Sequence, residues 1–289
     1  MGPGGLDRLK SYLQLPEVYA RSWLEGRRQR EQFDQVQTYC MFIGHARSGH
    51  SLVGSLLSAH PEVVIAHELD ALRYIKWRFG RDQLYHLILQ RDLEFSQKQR
   101  LQTKTGYQYA VPGQWQGRYR ELRVVGDKKG GASTRKLGRQ PELLDRLRTL
   151  VGVPVRLVNV TRNPYDNIAT IARRSGRSLA VSAERYFERC ETVQQIRAAL
   201  PATDLLQLRY EAFTADPRSS LRSLCRFVGV DAAEEYLTSC SDIVFPSPRR
   251  SRSDAPWTDE LITHIADQID RFDFLSGYSF SSEESVPME

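Results

Sequence analysis

The sequence predicts an α/β fold, a mainly parallel central sheet flanked by helices. Three observations predict it. Short apolar runs at residues 39–43, 63–66, 155–160 and 205–210 alternate with segments of helical spacing. The first run opens into a polar loop bracketed by Gly44 and Gly49, and then into a helix carrying Leu52, Val53, Leu56 and Leu57. Charged and polar residues follow the runs at their carboxyl ends, where open parallel sheets bind ligands.

Taken in order, residues 1–38 begin with a Gly/Pro-rich start and continue as a helix over about 17–35. Trp23 and Phe33 are its expected packing residues, and Gly26 is an expected interruption. This segment reads as an extension of the core, serving as a dimer or lid element. Residues 39–280 form the main domain. The strand at 63–66 delivers His67, Glu68 and Asp70 to the ligand edge, as acid–base candidates or as plain surface charges and helix caps. Residues 71–121 are rich in Arg, Gln, Tyr and Trp. Leu84, Leu87, Ile88 and Phe95 indicate helices there, and 106–117 reads as a loop, suiting a substrate-facing insertion or an ordinary surface. A two-valine strand stub at 124–125 then opens into a glycine-bounded loop with Lys128 and Lys129.

Residues 143–150 have one leucine face. The strand at 155–160 breaks at Asn163, and Pro164 starts a helix. Residues 182–200 read as a helix capped by Ser182, and 219–228 as a helix stopped by Gly229. Prolines and serines make 241–256 a loop; Arg249, Arg250 and Arg252 concentrate positive charge in it. Residues 261–269 form a last helix, and 281–289 read as a disordered tail.

Composition narrows the function. The 289 residues are 40% hydrophobic and 26% charged, as in a globular protein. Lys plus Arg number 41 against 35 Asp plus Glu, and the Arg-rich balance suits bidentate recognition of phosphate or sulfate. No long basic block and no zinc-finger or RNA-binding pattern occurs, so nucleic acid is not an expected partner. No apolar run approaches the ~20 residues of a membrane span. Neither an apolar signal core nor a C-x-x-C pair is found, so a reducing cytoplasm is expected, without a metal site or disulfide framework.

Strand, glycine-bracketed loop and helix make a phosphate cradle, in which loop and helix-terminal amides point at an anion. Gly and Ser also make ordinary strand-to-helix turns. Gly44-x-x-x-x-Gly49-His50-Ser51 nearly fits the nucleotide-triphosphatase loop, but His50 stands where that loop needs Lys. The cation has moved into the loop, as Arg47. A second anion site is expected where Arg162 leaves its strand and Thr170, Arg173 and Arg174 follow; a helix with a basic face is the alternative. Asp127 is placed to hold magnesium if the loop serves a triphosphate.

Four islands in this order resemble the sulfotransferases that use 3′-phosphoadenosine 5′-phosphosulfate, and most closely their protein-tyrosine branch. The family's P-R-S-G-T-T loop looks like Ala46-Arg47-Ser48-Gly49-His50-Ser51, and its L-L-x-A-H-P-x-V looks like residues 56–63. Glu68 matches the catalytic Glu by spacing, and Lys128 the lysine that supports the transition state. Arg162 and Thr170 match the 3′-phosphate pattern, with Arg174 a further turn on. Tyr210-Glu211, the run over 216–230, and Arg249 with Arg250 in the basic terminal loop match the remainder. Ala46 replaces the usual Pro and His50 a Thr; Asn163 and Tyr165 differ from the common Asp and Arg. No match covers 71–121.

The resemblance implies a P-loop-like sulfotransferase fold and sulfuryl transfer from 3′-phosphoadenosine 5′-phosphosulfate to a hydroxyl acceptor. Arg47, Glu68 and Lys128 are the implied catalytic residues. Arg47, Ser48, Gly49, His50, Ser51, Arg162, Thr170, Arg174, Tyr210, Arg249 and Arg250 are the implied donor-binding residues. No metal is needed, because positioning and electrostatics carry such a transfer. His67 is the competing base. Two rivals stand beside this reading: a nucleotide-triphosphate phosphotransferase on the same cradle, and a nucleotide-binding module without turnover. Peptide tyrosine, sugar, lipid head and small alcohol all remain as acceptors.

Overall fold

A computed structural model describes residues 14–98 and 109–282. Five strands form one wholly parallel sheet: β1 (Thr38–Gly44), β2 (Val63–His67), β3 (Val124–Lys128), β4 (Val155–Thr161) and β5 (Leu205–Arg209). Their order is β2-β3-β1-β4-β5, so the chain passes from β1 to the edge strand β2, returns to insert β3 between them, and then adds β4 and β5 on the other side of β1. The direction reverses between β1 and β4, which is where a doubly wound sheet opens a crevice at its carboxyl edge. The expected fold class is the one observed.

β1 is buried along its whole length and alternates by side-chain face. Tyr39, Met41 and Ile43 enter one core, and Cys40 and Phe42 the other. Helices cover both faces, as parallel strands require. On one side lie α1 (Leu15–Arg28), α2 (Arg30–Phe33), α4 (Ala71–Lys76), α5 (Arg81–Lys98), α6 (Gly130–Arg139), α7 (Glu142–Val151), α8 (Pro164–Ser175), α9 (Leu179–Ala198) and α13 (Asp259–Ile269). On the other lie α3 (His50–Leu57), α10 (Tyr210–Ala215), α11 (Pro217–Val228) and α12 (Glu234–Ser241). All four cysteines are buried free thiols.

Several elements differ from the sequence expectation. The N-terminal helix ends at Arg28, not at Gly26. Gly26 lies inside it because a Cβ there would stand 2.6 Å from the Asp82 carbonyl oxygen, so glycine permits close approach to α5. Phe33 is buried, but Trp23 is exposed, with the Arg27 guanidinium 4.7 Å above its ring. β3 runs three residues past its two valines, and the expected glycine loop after it is the start of α6. α9 begins three residues before Ser182; Ser178 is its cap, accepting from the Val181 amide at 3.3 Å. The short helices α4, α10 and α12 lacked a readable period. The tail expected from 281 lies outside the described residues from 283 onward, as does the 99–108 stretch of the 71–121 segment.

Candidate active site

The loop after β1 turns through Gly44 (φ 109°), Arg47 (φ 70°) and Gly49 (φ 101°). Arg47 holds a left-handed backbone that costs a non-glycine residue roughly 1–3 kcal/mol, a strain that clusters at functional sites. Gly49 is required twice: by its φ, and by the Tyr210 ring, whose Cδ2 would lie 2.1 Å from an added Cβ. Ser48 Oγ turns inward and donates to the His45 carbonyl at 2.8 Å. His50 Nε2–H donates to the Ile43 carbonyl at 2.9 Å, tying the first turn of α3 to the end of β1. Burial, with Lys128 beside it, lowers the His50 pKa to about 4, so the ring is neutral. The cradle is thus braced by a neutral histidine where the family pattern has threonine. Gly130 makes room for that ring: a Cβ would stand 2.4 Å from His50 Cε1.

Parallel register sets His67, the last residue of β2, beside Lys128, the last residue of β3. Glu68 follows immediately, with φ 62°. Lys128 is 3% exposed; its Nζ donates to Ser51 Oγ at 2.9 Å and to Glu68 Oε1 at 3.2 Å. Lys129 Nζ donates to Glu68 Oε2 at 3.0 Å. Burial alone would raise the Glu68 pKa, but the two ammoniums outweigh it and hold the carboxyl at about 2. Lys128 is lowered to about 8, because burial exceeds what Glu68 returns. Glu68 is driven toward its charged form and Lys128 away from its own, because Lys128 is buried and Glu68 is half exposed. Gly54 in α3 is the seat of the lysine stem: a Cβ there would meet Lys128 Cγ at 2.9 Å.

The neighbouring candidates have other work. His67 stacks on Phe95 with centroids 3.6 Å apart, and its Nε2 lies 3.4 Å from Lys128 Nζ. Asp70 pairs with Lys136. Asp127 accepts the Leu69 amide at 3.0 Å and the Ala71 amide at 2.8 Å, so both carboxylate oxygens fix the turn after β2. That commitment disfavours Asp127 as a magnesium ligand.

At the end of β4, Arg162 is 8% exposed and donates through Nη2 to the Arg249 carbonyl, while its Nε is buried without a partner. Thr170 Oγ1 donates to the Asp166 carbonyl at 2.8 Å and lies 3.0 Å from Ser251 Oγ. The basic loop is latched over this helix. Arg252 is buried, and it gives Asp166 both its amide and its Nη1, each at 2.8 Å. Arg252 therefore carries structure, not free charge, which corrects the sequence reading of three concentrated cations. Its Nη2 donates to the Ser282 carbonyl at 2.9 Å, and Asn163 Nδ2 donates to the Ser279 carbonyl at 3.0 Å. Glu211 joins the same layer, accepting the Asn163 amide and the Tyr278 hydroxyl at 2.7 Å each.

One cavity of about 600 Å³ collects these parts. Seven arginines and two lysines line it against one acid, Glu68. Arg47, Gly49, His50, Ser51, Glu68, Lys128, Arg162, Thr170, Arg174, Tyr210 and Arg249 all reach it; Ser48 and Arg250 do not. Tyr109, from the unmatched segment, also lines it. Sequence reasoning missed Arg135 on α6 and Arg189 on α9. Two leading glycines hid α6. Arg189 carried a readable signal, an arginine one residue from the buried stripe Ser182, Tyr186, Cys190 and Val193. Among the described residues, no group of His, Cys, Asp and Glu could hold a metal ion, and no helix is long and apolar enough to cross a membrane.

The model of the Sulfotransferase family matches residues 41–234. Against curated proteins the sequence finds no match. Among solved structures, a sulfotransferase domain from the curacin biosynthetic pathway aligns at TM-score 0.51 and 15% identity, over 81% of this chain and 98% of its own. Sulfotransferase STF9 from Mycobacterium avium aligns at 0.50 and 12%, over 89% and 83%. STF1 from Mycobacterium tuberculosis H37Rv aligns at 0.50 and 14%, over 89% and 81%. At these identities the likeness is one of fold.

Proposed function

The chain belongs to the sulfotransferase family, and from that premise we propose that it moves a sulfuryl group from 3′-phosphoadenosine 5′-phosphosulfate to a hydroxyl acceptor. The observation that supports the reading is one cavity lined by the loop with Arg47, by Arg162 with Thr170, Arg174 and Arg249, and by the Glu68–Lys128 pair. The loop amides and Arg47 receive the 5′-phosphosulfate. Arg162, whose buried Nε lacks a partner, receives the 3′-phosphate together with Thr170, Arg174 and Arg249. Tyr210, packed on the loop at Gly49, gives the adenine a ring to lie against.

The transfer proceeds in line. An acceptor oxygen forms the new S–O bond as the bond from sulfur to the bridging oxygen breaks, and the bisphosphate leaves with the electron pair. Lys128 turns from Glu68 to the bridging oxygen and balances that charge. Left with Lys129 alone, Glu68 regains part of its basicity and takes the hydroxyl proton. General-base help of this kind is worth about 10²–10⁴ in rate. The same salt bridge therefore keeps the base quiet until donor arrives. Peptide tyrosine, the acceptor of the branch its motifs resemble, belongs in the acceptor panel with sugars and small alcohols.

The test is ligand identity. Adenosine 3′,5′-bisphosphate occupies both anion sites, and at ~100 times its dissociation constant it stabilises the fold by about 2.7 kcal/mol. Its thermal shift is expected to exceed that of ATP with magnesium. The reverse order overturns the reading in favour of phosphotransfer.

A further inference from the structure

Donor chemistry leaves part of the cavity's charge unused. A donor with one phosphate monoester and one phosphosulfate carries roughly four negative charges. Nine cations and one acid line the site, so about half the positive charge has no donor group to meet. The surplus is localised. Arg135 and Arg189 belong to α6 and α9, two helices packed on each other, and not to the turn between β4 and α8 that carries Arg162. Gly131, one turn before Arg135, lies against Ala46 of the phosphate loop: a Cβ there would be 3.2 Å from the Ala46 amide.

The two arginines line the same cavity wall, close enough for the charge of Arg135 to act on Arg189. Among the described residues neither side chain makes a hydrogen bond or an ion pair. Arg189 Nε is buried with no partner. Burial and then the neighbouring Arg135 push Arg189 below its ordinary value; Glu188 acts on it more weakly and from beyond ion-pair distance. Two like charges held together at a cavity wall, one with a desolvated donor, cost stability unless an anion joins them. Each guanidinium also presents the planar fork that takes a carboxylate or sulfate in bidentate fashion.

We propose that Arg135 and Arg189 form an acceptor-recognition site, and that the acceptor is a hydroxyl compound bearing its own carboxylate or sulfate. The inference rests on the sulfotransferase reading and deepens it. A fixed anion anchors the acceptor beside Arg47 while its hydroxyl reaches Glu68. Like negative charges on donor and acceptor are held in one cavity because the surplus cations separate and neutralise them.

The experiment separates this claim from its premise. Binding of adenosine 3′,5′-bisphosphate is measured first by calorimetry, for the wild type and the Arg135→Gln, Arg189→Gln double variant. Equal affinity within twofold is expected, and it certifies that the variant is folded and its donor site whole. Failure of the wild type to bind the bisphosphate counts against the premise. A double variant that loses the bisphosphate overturns the inference, because the pair then serves the donor. With bisphosphate saturating, two matched pairs of probes are titrated: 4-nitrophenyl glucoside against the glucuronide, and 4-hydroxyphenylacetamide against 4-hydroxyphenylacetate. At least one pair should favour its anionic member tenfold or more in the wild type, and the preference should vanish in the double variant. Arg135→Lys with Arg189→Lys, which keeps charge but loses the fork, should retain part of it. The arms tell a sugar acceptor from a phenol. No preference in either pair, or a preference that survives Arg→Gln replacement, overturns the proposal.

Discussion

Glu68 and Lys128 are each restrained by the other, and their pH behaviour follows. With the carboxyl at about 2 and the ammonium at about 8, the free enzyme holds the productive ion pair between those values. Above pH 8 Lys128 loses its proton, and with it the charge proposed to support the leaving group. The kcat/KM profile is therefore expected to be flat from pH 5 to 7.5 and to fall above about 8, where a free-enzyme pKa shows itself. Glu68→Gln should leave bisphosphate affinity nearly intact and lower turnover by ~10² or more. Normal turnover in that variant, measured against any acceptor the panel yields, removes Glu68 from the base role. Both residues were candidates in the sequence, Glu68 beside His67 and Asp70 after an apolar run and Lys128 beside Lys129 after a two-valine stub, and the family resemblance singled them out. Their pairing was not legible there, since it depends on the β2–β3 register that sets His67 against Lys128.

At the scale of elements, strand-edge chemistry was legible and latch chemistry was not. Every strand was visible because parallel strands buried on both faces read as apolar runs. β3 was visible only in part: its third, fourth and fifth residues are Gly126, Asp127 and Lys128, which no hydropathy pattern marks as strand. Likewise Arg249, Arg250 and Arg252 look equivalent in sequence, yet one lines the cavity, one does not, and one is buried against Asp166. The last distinction predicts a stability effect. Arg252→Met strands a buried carboxylate and should cost about 3–5 kcal/mol. It should also weaken the bisphosphate, since the loop carrying Arg249 loses its anchor. Adding Asp166→Asn should recover part of the stability. A single variant that melts with the wild type shows that the latch does not hold the loop.

For the molecule as a whole, the balance of buried titratable groups sets acid tolerance. Burial lowers His45 to about 3 and His50 to about 4, while the unfolded chain binds protons on both near 6.5. A depressed folded pKa means stability that is present above pH 6.5 and lost as pH falls toward 4. Asp127 runs the other way: burial raises it to about 6, so it contributes stability at low pH that is lost as pH rises through 6. Two groups outweigh one, and each pKa unit is worth about 1.4 kcal/mol. The melting temperature is expected to drop between pH 6.5 and 4, and His45→Gln with His50→Gln should flatten that drop. A melting temperature that holds or rises over this interval contradicts the assignment. The layer that closes the Arg162 site has a consequence for biosynthesis. Glu211, Asn163 and Arg252 bind Tyr278, Ser279 and Ser282, so the site's outer wall is fastened to the last described residues. Chains grow from the amino end and fold as they emerge. A nascent chain thus completes its sheet and phosphate loop while the Arg162 side is still open, and that wall can close only after residues 278–282 have emerged.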